Sequence, residues 1–269
     1  MSRRDALTFL AALSIAALLS GCAIVPLTGR NQLDLVSQAD LAQSGAVSYD
    51  QVLADAKLSK DAAKLKMVAD VGRRIAASAE GFMREQGLTA DLQYYQWEFS
   101  LIQDDSNANA FCLPGGKVAV YTGILPIAGG EEGLSVVIAH EVAHTIANHS
   151  GERMSQLLLE QLGGMALGSA LKESPQKTQE LAMLAYGVGA NVGVLLPYGR
   201  RQESEADWIG LVIMARAGYN PEAAVRFWER MAAAYPTNVP EFLSTHPANA
   251  TRIADIRKHV PQAMKYYHP

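Results

Sequence analysis

The segment His140-Glu141-Val142-Ala143-His144 constrains this chain more than any other. Two histidines four residues apart share one face of an α-helix, about 40° apart around its axis. Both imidazoles then reach one metal ion. The surrounding residues are Leu134, Val136, Val137, Ile138, Ala139, Ile146 and Ala147, with Val142 and Ala143 inside the motif. A helix that is apolar on every side belongs inside a fold, where two imidazoles and a carboxylate need a polar partner. A zinc ion supplies one. Glu141 sits on the flank of the ligand face, placed to touch a water rather than the ion. There it exchanges protons while zinc acidifies water and polarises a carbonyl.

A catalytic zinc takes three protein ligands and keeps one position open. An extended motif would place a third histidine at position 150, which is serine, and His149 falls one residue short and on a different face. The third ligand therefore comes from elsewhere. Glu203 is the candidate, within Arg200-Arg201-Gln202-Glu203-Ser204-Glu205-Ala206-Asp207. Glu203 and Asp207 share a helix face, so Glu203 can ligate while Asp207 accepts a hydrogen bond from a ligand histidine and fixes its tautomer. Glu205 is the rival ligand, but it faces away from Asp207.

The periodicity around the motif is mostly helical. Leu65, Val68, Gly72, Ile75, Ala79 and Phe82 recur at three and four residues, giving one apolar stripe between about 50 and 86. Trp97, Phe99 and Leu101 alternate with Glu98, Ser100 and Ile102, and Lys117 to Thr122 is β-rich after the turn Pro114-Gly115-Gly116. Residues 93 to 125 therefore read as a small antiparallel sheet. Its Lys117–Thr122 run suits either an ordinary core strand or an edge strand that pairs with an extended substrate. The motif helix runs from Glu131 to about Ser150. Apolar helices follow at 155–171 and 178–196, split by Ser174-Pro175. The uncharged run from Leu181 to Leu196 is short and glycine-containing for a membrane span, so packed helices beside the site are expected. Further helices are expected at about 201–218, 221–234 and 247–260. The fold class is α+β: a mostly helical zincin domain with a small sheet beside the active-site helix.

The amino terminus is read apart from the fold. Arg3 and Arg4 precede an apolar run from Ala6 to Leu19 and then Ser20-Gly21-Cys22, the pattern of an export signal. Leu19-Ser20-Gly21-Cys22 resembles the lipobox of bacterial lipoproteins, which implies cleavage before Cys22 and lipid on its thiol. Ala23 after the cysteine resembles lipoproteins sent to the outer membrane. The expected organisation is a signal over 1–21, a tether over 22–45 carrying the chain breakers Pro26 and Gly29, and a peptidase domain over 46–269. Cleavage removes Arg3, Arg4 and Asp5, leaving 21 basic and 26 acidic side chains. With no basic stripe, nothing points to nucleic acid. Cys112, between Phe111 and Leu113, reads as a small buried residue rather than a nucleophile.

His-Glu-Val-Ala-His together with Arg-Arg-Gln-Glu-Ser-Glu-Ala-Asp resembles the HtpX and CAAX-prenyl-protease superfamily of gluzincins. Within it the chain is similar to bacterial lipoprotein and periplasmic peptidases of the LoiP and BepA type. Thr28-Gly29-Arg30, Asn109 to Gly116 and Ser244-Thr245-His246-Pro247 also look like family segments, and Gly199 replaces the family's usual serine. The resemblance implies one zinc per chain on His140, His144 and Glu203, with Glu141 catalytic. It implies that His246 approaches the metal, to regulate it or to stabilise an oxyanion, although a histidine before Pro247 is also a simple helix-start residue. It further implies cleavage of unfolded or misassembled envelope proteins. Two rivals stand beside this reading: a chaperone-like envelope lipoprotein with a latent peptidase site, and a purely structural zinc protein. His259 and His268 read as surface residues.

Overall fold

A computed structural model describes residues 22–190, 196–235, 241–247 and 250–269. In chain order these form β1 (Cys22–Ile24), β2 (Asn31–Leu33), α1 (Gln38–Asp55), α2 (Ala62–Glu85), β3 (Glu98–Ile102), β4 (Ala110–Leu113), β5 (Lys117–Tyr121) and α3 (Leu125–Ala128). Then come α4 (Glu131–Ile146), α5 (His149–Leu171), α6 (Gln176–Ala190), α7 (Leu196–Arg216), α8 (Glu222–Ala234), α9 (Glu241–Thr245) and α10 (Ala250–Ala263). The class is α+β and mostly helical, as the sequence pattern predicts.

The motif helix α4 is the centre of the fold. Every residue from Gly133 to Ile146 is buried, as an all-round apolar helix requires. Glu131 and Glu132 occupy its first turn, where negative charge complements the helix dipole. The predicted stripe on α2 is also core: Val68, Gly72, Ile75, Ala79 and Phe82 are all buried. The side chain of Asp61 caps that helix by accepting from the Ala63 and Lys64 N–H groups. At Gly72 a β-carbon would lie 2.3 Å from the Phe99 ring, so only glycine lets β3 lie so close to α2.

Helix α7 runs antiparallel to α4, and the two touch backbone to side at Gly210. A β-carbon there would lie 3.2 Å from His140 N and 3.3 Å from the Ala139 carbonyl. This close approach carries Asp207 and Glu203, about one and two turns earlier on α7, up to the histidines. Helix α8 closes the same core with Phe227, Trp228 and Met231, each worth about 1.5–3 kcal/mol of burial.

The sheet has the order β3-β5-β4 and is mixed. β4 pairs antiparallel with β5, as expected, but β3 runs parallel to β5, with Phe99 opposite Val118. The parallel crossover is possible because residues 103–116, including β4, carry the chain back to the start of β5. β5 is therefore the central strand. It cannot accept an added strand, which overturns the edge-strand reading of Lys117–Thr122. The outer side of β3 is covered, with Ser59 N–H donating to Leu101 O and Gln103 N–H to Lys57 O. Among the described residues no strand pairs with the other side of β4. Tyr121 N–H donates to Asn109 O, so by antiparallel alternation the backbones of Ala110 and Cys112 face away from β5.

Residues 22–45, expected as a tether, are built into the fold. β1 and β2 pair as an antiparallel hairpin. Val25 and Pro26 are buried, and α1 already begins at Gln38, capped by the Ser37 side chain. The motif helix also ends earlier than predicted. Asn148 takes the left-handed conformation at φ 55°, which asparagine tolerates better than most residues, and α5 starts afresh at His149. Helix α6 folds back on α5, with Tyr186 Oη donating to Glu160 O. The pair leaves Leu157, Leu162, Met165, Leu181 and Leu184 exposed. Among the described residues no helix is long and apolar enough to cross a membrane; part of the Leu181–Leu196 run and the whole signal segment lie outside them.

Candidate active site

The fold gathers four side chains from three places in the sequence. His140 and His144 project from α4, Glu203 from α7, and His246 from the turn between α9 and α10. One ligand atom from each lies within 4.8 Å of all the others. His140 Nε2 and His144 Nε2 are 3.1 Å apart. Glu203 Oε2 is 3.3 Å from His140 Nε2, and its Oε1 is 3.3 Å from His144 Nε2. Zinc–nitrogen bonds of 2.0–2.1 Å in a tetrahedron set donors about 3.3 Å apart, so these residues fit one small divalent ion. Imidazole and carboxylate donors are those that such an ion prefers.

His246 completes the group. Its Nδ1 lies 3.1 Å from His140 Nε2 and 2.7 Å from Glu203 Oε2. The His246 N–H donates to Phe242 O, and the Phe242 ring stacks on Trp228 at 5.7 Å, so α8 sets the position of this loop. Glu141 stands beside the donors. Its Oε1 is buried without a hydrogen-bond partner and lies 3.5 Å from His246 Nε2. A buried carboxylate oxygen with no donor invites a proton-bearing ligand.

The supports behind the two histidines differ. His140 Nδ1 lies 3.1 Å from Asp207 Oδ1. Arg252 of α10 holds Asp207 with a fork, Nε to Oδ2 at 2.8 Å and Nη2 to Oδ1 at 2.7 Å, and its guanidinium lies 3.6 Å above the Trp228 ring. Behind His144 stands His149, with the two Nδ1 atoms 2.8 Å apart. On one continuous helix these residues would diverge, as the sequence reading expects; the break at Asn148 swings His149 back. Glu205 does not reach the ligand group. Its Oε2 lies 3.3 Å from His149 Nε2, and it pairs with Arg30.

Charge follows these contacts. Burial opposes a charge on His140, but Asp207 and Glu203 outweigh it and raise its pKa to about 9. Burial holds His144 well below the ordinary imidazole value, against the pull of Glu203. Burial also opposes charge on Glu203, yet its hydrogen bonds with the three histidines keep it far below the usual carboxylate range. Glu205 is brought down to about 2, with His149 and Arg30 overcoming its burial. Burial pushes the Cys112 thiol up to about 12, which makes it inert, as expected.

Sequence reasoning missed Arg252 and Trp228 and gave His149 and Arg30 no role at the site. Arginines and tryptophans recur along the chain, and only folding selects the ones that stand behind the ligands.

A helix-borne His-Glu-x-x-His pair, a glutamate on a second helix and a small sheet alongside define a gluzincin-type metallopeptidase. Residues 69–260 match peptidase family M48, and the chain belongs to that family. It is 41% identical to the mitochondrial metalloendopeptidase OMA1 of Schizosaccharomyces pombe over 170 residues, 62% of this chain and 48% of that protein. It is 29% identical to the OMA1 metalloendopeptidase of Bos taurus over 90% of this chain and 46% of that protein. It is 31% identical to the beta-barrel assembly-enhancing protease of Escherichia coli over 62% of this chain and 35% of that protein. The chain thus spans about half or less of the length of these relatives.

Proposed function

We propose that the chain is a zinc endopeptidase with the ion held by His140, His144 and Glu203. The carrying observation is the four-donor group beside a buried carboxylate oxygen that has no partner. When bound, zinc supplies a Lewis acid that polarises a peptide carbonyl and makes water more acidic. Glu141 takes the proton of the attacking water and delivers it to the leaving amine. Asp207 holds His140 with Nδ1 protonated, so that Nε2 keeps its lone pair for the ion. The outer edge of β4 receives an extended substrate by strand addition at the backbone of Cys112, while the Ala110 N–H is held by Asn109 Oδ1 at 2.9 Å. The test is cleavage of casein or another unfolded protein by Glu141→Gln, with metal content measured. Activity should fall by about 10² or more while metal is retained; a variant that cuts at the wild-type rate refutes the assignment.

The substrates proposed are unfolded or misassembled proteins of the bacterial envelope. Support comes from the export pattern before Cys22 and from the likeness to the beta-barrel assembly-enhancing protease. In this reading Cys22 carries the lipid anchor, and the protein faces the periplasm from the outer membrane. Cys22→Ala should abolish acyl labelling; equal labelling of wild type and variant refutes the anchor.

The contacts of His246 favour a latent resting state as the second reading. With Nδ1 among the donors, His246 takes the position a substrate or water needs, and release of the 241–247 segment would open the site.

A further inference from the structure

The support behind His144 reaches back to the start of the described chain. Arg30, in the loop between β1 and β2, donates from Nη1 and Nη2 to Glu152 Oε1 and Oε2 at 2.6 and 2.7 Å. Its Nε donates to Glu205 Oε1 and Oε2 at 2.8 and 3.0 Å. Thr28 Oγ1 adds a second donor to Glu205, at 3.0 Å. Glu152 is fully buried and also accepts from Gln202 Nε2 at 2.7 Å. One guanidinium thus uses its end and its side to lock two carboxylates, one from α5 and one from α7, in fixed orientation.

We infer that Arg30 and Glu205 are positioning residues for the metal ligand His144, acting through His149. This rests on the reading of His144 as a ligand. A histidine that binds through Nε2 carries its hydrogen on Nδ1. His144 Nδ1 faces His149 Nδ1 at 2.8 Å, so His149 must accept there and carry its own hydrogen on Nε2. His149 Nε2 lies 3.3 Å from Glu205 Oε2, within ion-pair reach but not aligned for a hydrogen bond, and the carboxylate's negative charge there favours the tautomer with its hydrogen on Nε2. Glu205 therefore selects the tautomer of His149, His149 selects that of His144, and Arg30 with Thr28 holds Glu205 in place. The arrangement parallels Asp207 and Arg252 behind His140, with one extra imidazole interposed. It makes the loop at 28–30 part of the metal site, although 114 residues separate Arg30 from His144.

The test compares Glu205→Gln with Glu152→Gln in the full chain. Each removes one negative charge from the same buried cluster and keeps the side chain's shape, but only Glu205 faces His149. Zinc affinity is measured by chelator competition, and ligand geometry from the visible spectrum of the cobalt-loaded protein. Glu205→Gln should bind metal about 10–100-fold more weakly, with a changed cobalt spectrum. Glu152→Gln reaches His149 only through Arg30, so it should weaken binding clearly less than Glu205→Gln does, by at least about threefold, with the cobalt spectrum closer to wild type. Arg30→Lys keeps the charge and loses the fork; it should also weaken metal binding, and it serves if a carboxamide variant does not fold. Equal affinities for Glu205→Gln and Glu152→Gln, or wild-type affinity in folded Arg30→Lys, overturn the inference. His144→Ala is the separate check: if it binds metal like wild type, the ligand assignment itself has failed.

Discussion

Loading the metal site at pH 6 should release about one proton, and that proton comes from His140. With no ion bound, burial opposes a charged His140, but Asp207 at 3.1 Å and Glu203 at 3.3 Å lift its pKa to about 9. Burial holds His144 well below its ordinary value, in the neutral form that leaves Nε2 free, while Glu203 is ionised. An imidazole cannot give Nε2 to a metal and keep a proton there. Displacing it costs about 1.4 kcal/mol for each pH unit below 9, or about 4 kcal/mol at pH 6. Apparent metal affinity should therefore rise about tenfold per pH unit from 6 to 8 and flatten above 9. Titration calorimetry in two buffers of different ionisation heat counts the proton directly. The same group acts on the stability of the metal-free protein. Its folded pKa is raised above the ordinary 6.5, so its contribution of about 3 kcal/mol is complete below pH 6.5 and is lost as pH rises through 9. Asp207→Asn removes one of the two carboxylates and should lower the proton count at pH 8. A wild-type count near zero or near two at pH 6 refutes this charge assignment.

His246→Ala should raise cleavage of an unfolded substrate with metal content unchanged, because it frees a donor position. A fall of about a hundredfold, typical of a lost oxyanion donor, would instead make His246 part of catalysis. Arg252→Met leaves Asp207 buried without its guanidinium partner and should cost about 3–5 kcal/mol in urea unfolding of the metal-free protein. A loss under about 1 kcal/mol, the scale of an exposed pair, would mean that the Asp207–Arg252 fork is not what stabilises α10 against the site.

The motif helix, its burial and the candidate roles of His140, Glu141 and His144 were legible from the chain alone. Those follow from a 3.6-residue period and from the need of buried polar groups for partners, and both are local properties. The sequence also ranked Glu203 over Glu205, because only Glu203 shares a helix face with Asp207. The apolar stripe of α2 was legible for the same reason. Strand direction was not. Period-two alternation is the same in parallel and antiparallel strands, so only the crossover made β5 central and put β4 on the outside. The role of residues 28–30 was hidden too, because a polar segment with proline and glycine breaks reads as a tether whatever it folds against. His149 shows the limit most plainly. Helical spacing turns it away from His144, and one left-handed asparagine at 148 turns it back. Tertiary structure also decided the supports: Asp207 takes its fork from α10, and Glu205 takes its own from a loop 175 residues away in sequence. Such pairings depend on where helices cross, and the crossing is set by packing at places such as Gly210, where the absence of a side chain lets α7 reach the backbone of the motif helix.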